Sequence, residues 1–236
     1  MAEWRVHLQG EQFDLQELKE ILLGNDPCII EEQSNFYLTS KAWDKLESSR
    51  EVNTQAKAYI QELENAAYLH YKDTTSLTIG GIIRLDDDGT RHHILIAEAG
   101  HFNYRVGRVR FMGIASGEPD RIQGRPEHPV LKFLRKSKNP LVKDALRFYR
   151  KGDWVNLYKA YEIVNDAVHG KRELVRRGWI TKELLNRFTQ TAQSRKALGD
   201  DARHASVKFI PPKNPMTINE AKTIVGSLLQ KWLESL

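Results

Sequence analysis

The sequence predicts an α+β fold: an N-terminal antiparallel sheet with helices, followed by an all-α C-terminal domain. Three observations predict it. Apolar and polar residues alternate near the amino terminus, an Asp-Gly turn separates two β-branched runs, and beyond residue 129 every apolar pattern has helical spacing. The 236 residues are 40% hydrophobic and 28% charged, the balance of a globular protein of one large domain or two small ones.

Trp4, Val6 and Leu8 alternate with polar residues at the period of a half-buried strand. Asp14 is the expected cap of a helix through Leu22, with Leu15, Leu18, Ile21 and Leu22 on one face and Gly24-Asn25 as its stop. Cys28-Ile29-Ile30 and Phe36-Tyr37-Leu38 read as short strands around a polar turn, Gln33-Ser34-Asn35. Ser40 is expected to cap the next helical turn. A helix is predicted over 54–71 from the spacing of Ala58, Ile60, Leu63, Ala66, Ala67 and Leu69.

A hairpin follows. Leu77, Ile79, Ile82 and Ile83 enter residues 86–90, and Ile94, Leu95 and Ile96 leave them. Asp88-Gly89 suits a primed turn, whose two central residues need positive φ. Gly80-Gly81 marks a bulge or a close backbone approach. Tyr104, Val106, Val109 and Phe111 predict a third strand over 102–114, completing a three-stranded meander.

Residues 116–129 are rich in Gly, Pro and charge without apolar periodicity. They form the predicted linker between an α+β domain, 1–115, and a basic helical domain, 130–236. Helices are predicted over 130–136, 140–150, 153–168, 181–192 and 217–236, with Asp153, Thr181 and Thr217 as caps. Glu220, three residues after Thr217, matches a capping box.

Charge divides the chain. Residues 1–118 hold 12 Lys+Arg and 19 Asp+Glu, and residues 119–236 hold 24 and 12, so the halves carry −7 and +12. A half with two basic groups per acidic one attracts polyanions, which makes RNA or a nucleotide the expected partner. The alternative is a basic half that docks on an acidic half, a protein partner or a second copy. A membrane partner is not expected, because no run of about 18 apolar residues occurs. The single cysteine, Cys28, excludes an internal disulfide, and the start of the chain lacks a signal-peptide layout, so a cytoplasmic location is expected. No phosphate-loop, dinucleotide or nucleophile-elbow spacing is present, and no cofactor is implied.

The segment 191–205 is the least explained by packing. Arg195 and Arg203 are suited to grip phosphate, and His204 to move a proton near neutral pH. His204, Arg203 and Arg195 are therefore the candidate catalytic set for metal-independent RNA cleavage. Lys196, Arg172, Arg176, Arg187, Lys143 and Arg147 are the expected nucleic-acid contacts. The competing reading of the loop is a buried polar clasp, in which Asp200 or Asp201 pairs with an arginine and His204 bonds backbone. On the helix after Asp153, residues Lys159, Glu162, Asp166 and His169 share one stripe. They suit a metal-bound water or, more simply, a solvated face, and no metal site is expected. His92 and His93 are consecutive in a strand and point to opposite faces, which is wrong for one ion.

Residues 154–163, Gly178-Trp179, Arg187-Phe188-Thr189, Thr191-Ala192, Gly199, Ala202-Arg203-His204 and Pro215-Met216 resemble a loose group of bacterial proteins with a HEPN-like helical region, over residues 153–236. The resemblance implies a helical domain and a role in antiviral defence or stress response. Nuclease members of that fold family use Arg-x4–6-His on RNA. Here Arg203 and His204 are adjacent, eight residues separate Arg195 from His204, and the one formal match, Arg121 to His128, lies in the predicted linker. A non-enzymatic protein-protein interaction or adaptor module is the alternative.

Overall fold

In the computed structural model, which describes residues 3–73, 76–94 and 127–236, the chain divides into two units. The first holds 1–64 and 75–131, the second 65–74 and 132–236. No helix among the described residues is long and apolar enough to cross a membrane.

The first unit is built on a sheet. Its strands are β1 (Glu3–Gln9), β2 (Cys28–Glu32), β3 (Asn35–Thr39), β4 (Thr78–Leu85) and β5 (Arg91–Ile94), in spatial order β2-β3-β1-β4-β5, all pairs antiparallel. Alternation buries Trp4, Val6 and Leu8 on one side of β1, with Phe36, Leu38 and Ile82 on its neighbours. Helix α1 (Gln12–Ile21) buries Leu15 and Leu18. A 3-10 turn over Lys41–Lys45 is capped by the Ser40 hydroxyl, which accepts the Ala42 N–H. Helix α2 (Ser49–Tyr71) buries Val52, Ala56, Ile60 and Leu63 along one stripe. Glu64, itself buried, accepts the N–H of Leu77 at 2.7 Å.

Three local expectations change. Helix α1 starts at Gln12 after Glu11, so Asp14 is a first-turn acid that favours the positive helix end and is not the cap. Helix α2 starts at Ser49, five residues before the predicted start at residue 54, because Ser48 and Glu51 form a reciprocal pair. The Ser48 hydroxyl accepts the Glu51 N–H at 3.3 Å, and the Glu51 carboxylate accepts the Ser48 N–H at 3.2 Å. The primed turn lies between β2 and β3, where Gln33 and Ser34 have φ of 50° and 63°. Of residues 86–90 only Gly89 has positive φ, at 84°. The Gly89 N–H bonds the Asp86 carbonyl and the Asp86 N–H bonds the Thr90 carbonyl, which is a type I turn followed by a left-handed glycine.

At Gly80-Gly81 the register of β1 and β4 shifts: His7 faces Gly81 while Leu8 faces Ile79, leaving Gly80 as the extra residue of a bulge. A Cβ on Gly80 would lie 2.7 Å from both His7 Nδ1 and Gln9 Nε2. The strand predicted over 102–114, residues Leu95 and Ile96, and 116–126 of the predicted linker lie outside the described residues.

The second unit is helical. With the end of α2 it contains most of α3 (Pro129–Lys136), then α4 (Pro140–Lys151), α5 (Trp154–Ala167), α6 (Lys171–Arg176), α7 (Lys182–Gln193), α8 (Arg195–Leu198), a 3-10 turn at Gly199–Asp201, and α9 (Ile218–Ser235). Asp153, Thr181 and Thr217 cap as expected, accepting N–H groups of Asn156, Leu184 and Glu220, and Glu220 completes the capping box. Asn139 and Pro140 open α4, and Gly152, with φ of 69°, closes it.

The face of α5 expected to meet the core does so: Trp154, Leu157, Tyr158, Tyr161, Val164 and Val168 are buried. Phe188 of α7 is the centre of an aromatic cluster, with ring centroids 6.4 Å from Trp154, 5.9 Å from Tyr158 and 5.4 Å from Tyr161. Residues 65–74 belong here through side chains. Tyr68 meets Tyr149 at 5.4 Å between centroids, and Gln230 donates to the Leu69 carbonyl at 3.3 Å. Tyr149 is buried, donates to the Lys222 carbonyl at 3.2 Å and accepts from Lys72 Nζ at 3.4 Å.

Candidate functional site

The segment from α7 to α9 is anchored by two buried hydroxyls. Thr191 Oγ1 donates to the Arg187 carbonyl at 2.8 Å, the usual bond of a helical threonine to the preceding turn, and also accepts the Met216 N–H at 3.0 Å. Ser194 Oγ donates to the Phe209 carbonyl at 2.9 Å. The Arg203 N–H donates to the Ala192 carbonyl at 2.9 Å, which returns the chain to the end of α7. Burying both hydroxyls is favourable only because each has these partners.

The three residues of the candidate catalytic set are engaged separately. Arg203 pairs with Glu162 of α5 at 2.8 Å, and its guanidinium carbon lies 4.3 Å from the Tyr158 ring centroid. The Tyr158 hydroxyl in turn accepts from Gln193 at 2.8 Å. A planar cation held at its edge by a carboxylate and at its face by a ring is fixed in orientation. Arg195 pairs with Asp200 at 3.0 Å, and both groups are well exposed. The His204 ring stacks on Phe209, 4.7 Å between centroids and 16° between planes, in place of the backbone bond expected for it. Adjacent in sequence, Arg203 is directed to α5 and His204 to Phe209 of the same loop. Of the buried polar clasp only the pairing of Asp200 with an arginine is found, and it lies on exposed groups.

The nucleic-acid contacts predicted from sequence divide similarly. Arg187 donates to the Asn214 carbonyl at 2.8 Å and pairs with Glu220 at 2.9 Å, tying α7 to the start of α9. Arg176 makes two 2.7 Å bonds to Glu173, and Arg177 a third, so the Glu173 carboxyl is lowered to about 2. Lys196 and Arg172 are exposed on α8 and α6. Lys143 and Arg147 lie one turn apart on α4, and Arg147 pairs with Asp144 at 2.7 Å.

Sequence reasoning missed one group here. Phe148, half-buried on α4, has Arg147 Cζ 4.7 Å and Lys159 Nζ 5.3 Å from its ring centroid. Arg147-Phe148 is visible locally, but the approach of Lys159 from α5 needs the α4–α5 pairing. The stripe Lys159, Glu162, Asp166, His169 is thereby dispersed, with Lys159 at Phe148 and Glu162 at Arg203. Among the described residues no three His, Cys, Asp or Glu side chains are grouped to share a metal ion.

Compared with known proteins, the chain matches no family model, no curated protein and no solved structure.

Proposed function

We propose that this is a bacterial cytoplasmic nucleic-acid-binding protein whose basic helical unit contacts RNA or nucleotide phosphates. The observation that carries the reading is charge: residues 65–74 and 132–236 hold 23 Lys+Arg against 11 Asp+Glu. Exposed Lys196, Arg172 and Arg176 supply part of that field to solvent. The resemblance to HEPN-like proteins adds RNA as the polymer and defence or stress response as the setting. The reading is one of binding and not of turnover. A phosphate reaching Arg203 would have to displace Glu162, and His204 is committed to Phe209.

The test is fluorescence anisotropy of a labelled single-stranded RNA across a salt series. Affinity should fall with salt by about 0.7 of a power per phosphate neutralised. Replacing Lys196, Arg172 and Arg176 together by Gln should weaken binding and flatten that slope. Absence of binding, or binding indifferent to salt, refutes the reading. RNA incubated with wild type and with His204→Ala should show the same cleavage background; loss of cleavage in the variant would restore the catalytic role.

A second reading is a protein-protein interaction or adaptor module. Two observations favour it: Arg147, Arg176, Arg187, Arg195 and Arg203 are all ion-paired within the unit, and Val207 and Ile210 are 62% and 77% exposed. Salt-insensitive self-association in light scattering would select it.

A further inference from the structure

We propose that the second face of the sheet, in the first unit, carries a small-molecule site whose ligand is a single pyrimidine base. The inference stands apart from the RNA-binding reading, which concerns the second unit.

Register decides which residues share this face. Directly opposed residues of an antiparallel pair point to the same side. His7 is opposite Tyr37 of β3 and Gly81 of β4, while Ile83 is opposite Arg5 of β1 and His93 of β5. All of these turn away from the side that buries Trp4, Val6 and Leu8. Glu32, at the end of β2, accepts from Arg91 of β5 at 2.7 Å and from Arg5 at 3.0 Å. Strands β2 and β5 are the outermost strands of the described sheet. In a flat sheet they would lie about 19 Å apart, farther than an arginine and a glutamate can span. The sheet is therefore curled toward this face, and Ile83 is only 6% exposed on it.

The curl forms a cavity of about 130 Å³ whose walls include His7, Tyr37, Gly81, Ile83 and His93. The missing side chain of Gly81 supplies space. A Cβ there would have one neighbour within 4 Å, the Ile94 carbonyl oxygen at 3.3 Å. Gly80 differs, since His7 and Gln9 already lie across it.

Size, shape and charge select the ligand. A cavity of about 150 Å³ accepts benzene and sites for drug-sized molecules start near about 300 Å³, so this one has room for a single ring. A glycine floor beside the His7 and Tyr37 rings, whose centroids are 5.4 Å apart, suits a flat molecule. Arg5 and Arg91 are paired with Glu3 and Glu32, so the face has no net charge to hold an anion. What remains is neutral polarity. Among the described residues no hydrogen bond occupies the ring nitrogens of His7 and His93 or the Tyr37 hydroxyl. A neutral imidazole offers one donor and one acceptor, and a phenol offers both. A pyrimidine base carries N–H and C=O groups around one flat, uncharged ring, which matches this set.

The experiment is saturation-transfer NMR on the full chain with uracil and cytosine, with benzoate and toluene as charged and apolar single-ring controls. Wild type should transfer to a base and not to either control. His93→Leu, at an exposed position, should raise the Kd of that base about tenfold by removing one hydrogen-bonding partner. Gly81→Ala should abolish transfer by filling the floor. Tyr37→Phe keeps the ring and removes only the hydroxyl, so it tests the site should Gly81→Ala fail to fold, and it too should weaken binding. Thermal melts of each variant check the fold.

No transfer to either base in wild type would overturn the proposal, as would transfer that His93→Leu and Tyr37→Phe leave unchanged. Preference for benzoate would make the site one for anions, and preference for toluene would mean that its polar groups are unused; each overturns the base assignment. None of these results bears on RNA binding by the second unit.

Discussion

Glu173 gathers three 2.7 Å bonds from two consecutive arginines, and its acidity responds. Its carboxyl is lowered from 4.5 to about 2, chiefly by the hydrogen bonds from Arg176 and then Arg177. A folded value below the unfolded one means the charged form is favoured by folding. The contribution is therefore complete above the ordinary value of 4.5 and is lost as pH falls from there toward 2. Melting temperatures of wild type and Glu173→Gln should differ at pH 6 and converge near pH 2, with a small gap throughout, because exposed pairs are screened. A gap that widens in acid would contradict the assignment. At this scale the sequence was legible where partners are neighbours. Arg195 and Asp200 are five residues apart, little more than one helical turn. Arg203 with Glu162 was not legible, because 40 residues lie between them and only the α5–α7 packing brings them together.

Elements were legible in proportion to how local their signals are. The caps of α5, α7 and α9 needed only a side chain and an N–H three residues on, and all three form. The start of α2 was misplaced because its pattern begins before its apolar stripe does, at a cap made by Ser48 and Glu51. Short α6 and α8 escaped because six and four residues are too few to establish a period. Helix α9 supports a sharper expectation. Gly226→Ala should gain about 1 kcal/mol from helix propensity. A Cβ there, however, would lie 2.4 Å from the Tyr149 hydroxyl and 2.7 Å from Lys72 Nζ. Lysine can swing away, whereas buried Tyr149 cannot, and overpacking costs about 1 to 3 kcal/mol. The clash wins. Urea denaturation should show net loss of stability, and adding Tyr149→Phe should recover part of it. A more stable Gly226→Ala variant would mean that Tyr149 is not held as described.

On the scale of the whole molecule, the charge division and the α+β character were legible because they depend on composition and period alone. The membership of residues 65–74 in the second unit was not, since α2 carries one continuous apolar pattern across residue 64. A fragment of residues 127–236 therefore omits Tyr68, Leu69 and Lys72, the partners of Tyr149 and Gln230. It should unfold at lower urea concentration than the full chain, followed by fluorescence of Trp154, Trp179 and Trp232. Matching midpoints would make residues 65–74 dispensable to that core.

The glycine pair in β4 has a bearing on how the sheet is shaped. Ile79 and Ile82 both turn inward although three positions apart, because Gly80 is supernumerary in the ladder. Omitting Gly80 would leave those isoleucines two positions apart and still on one side, so the inside-outside partition does not need it. What it supplies is curvature, and clearance for His7 and Gln9 to lie flat across the backbone.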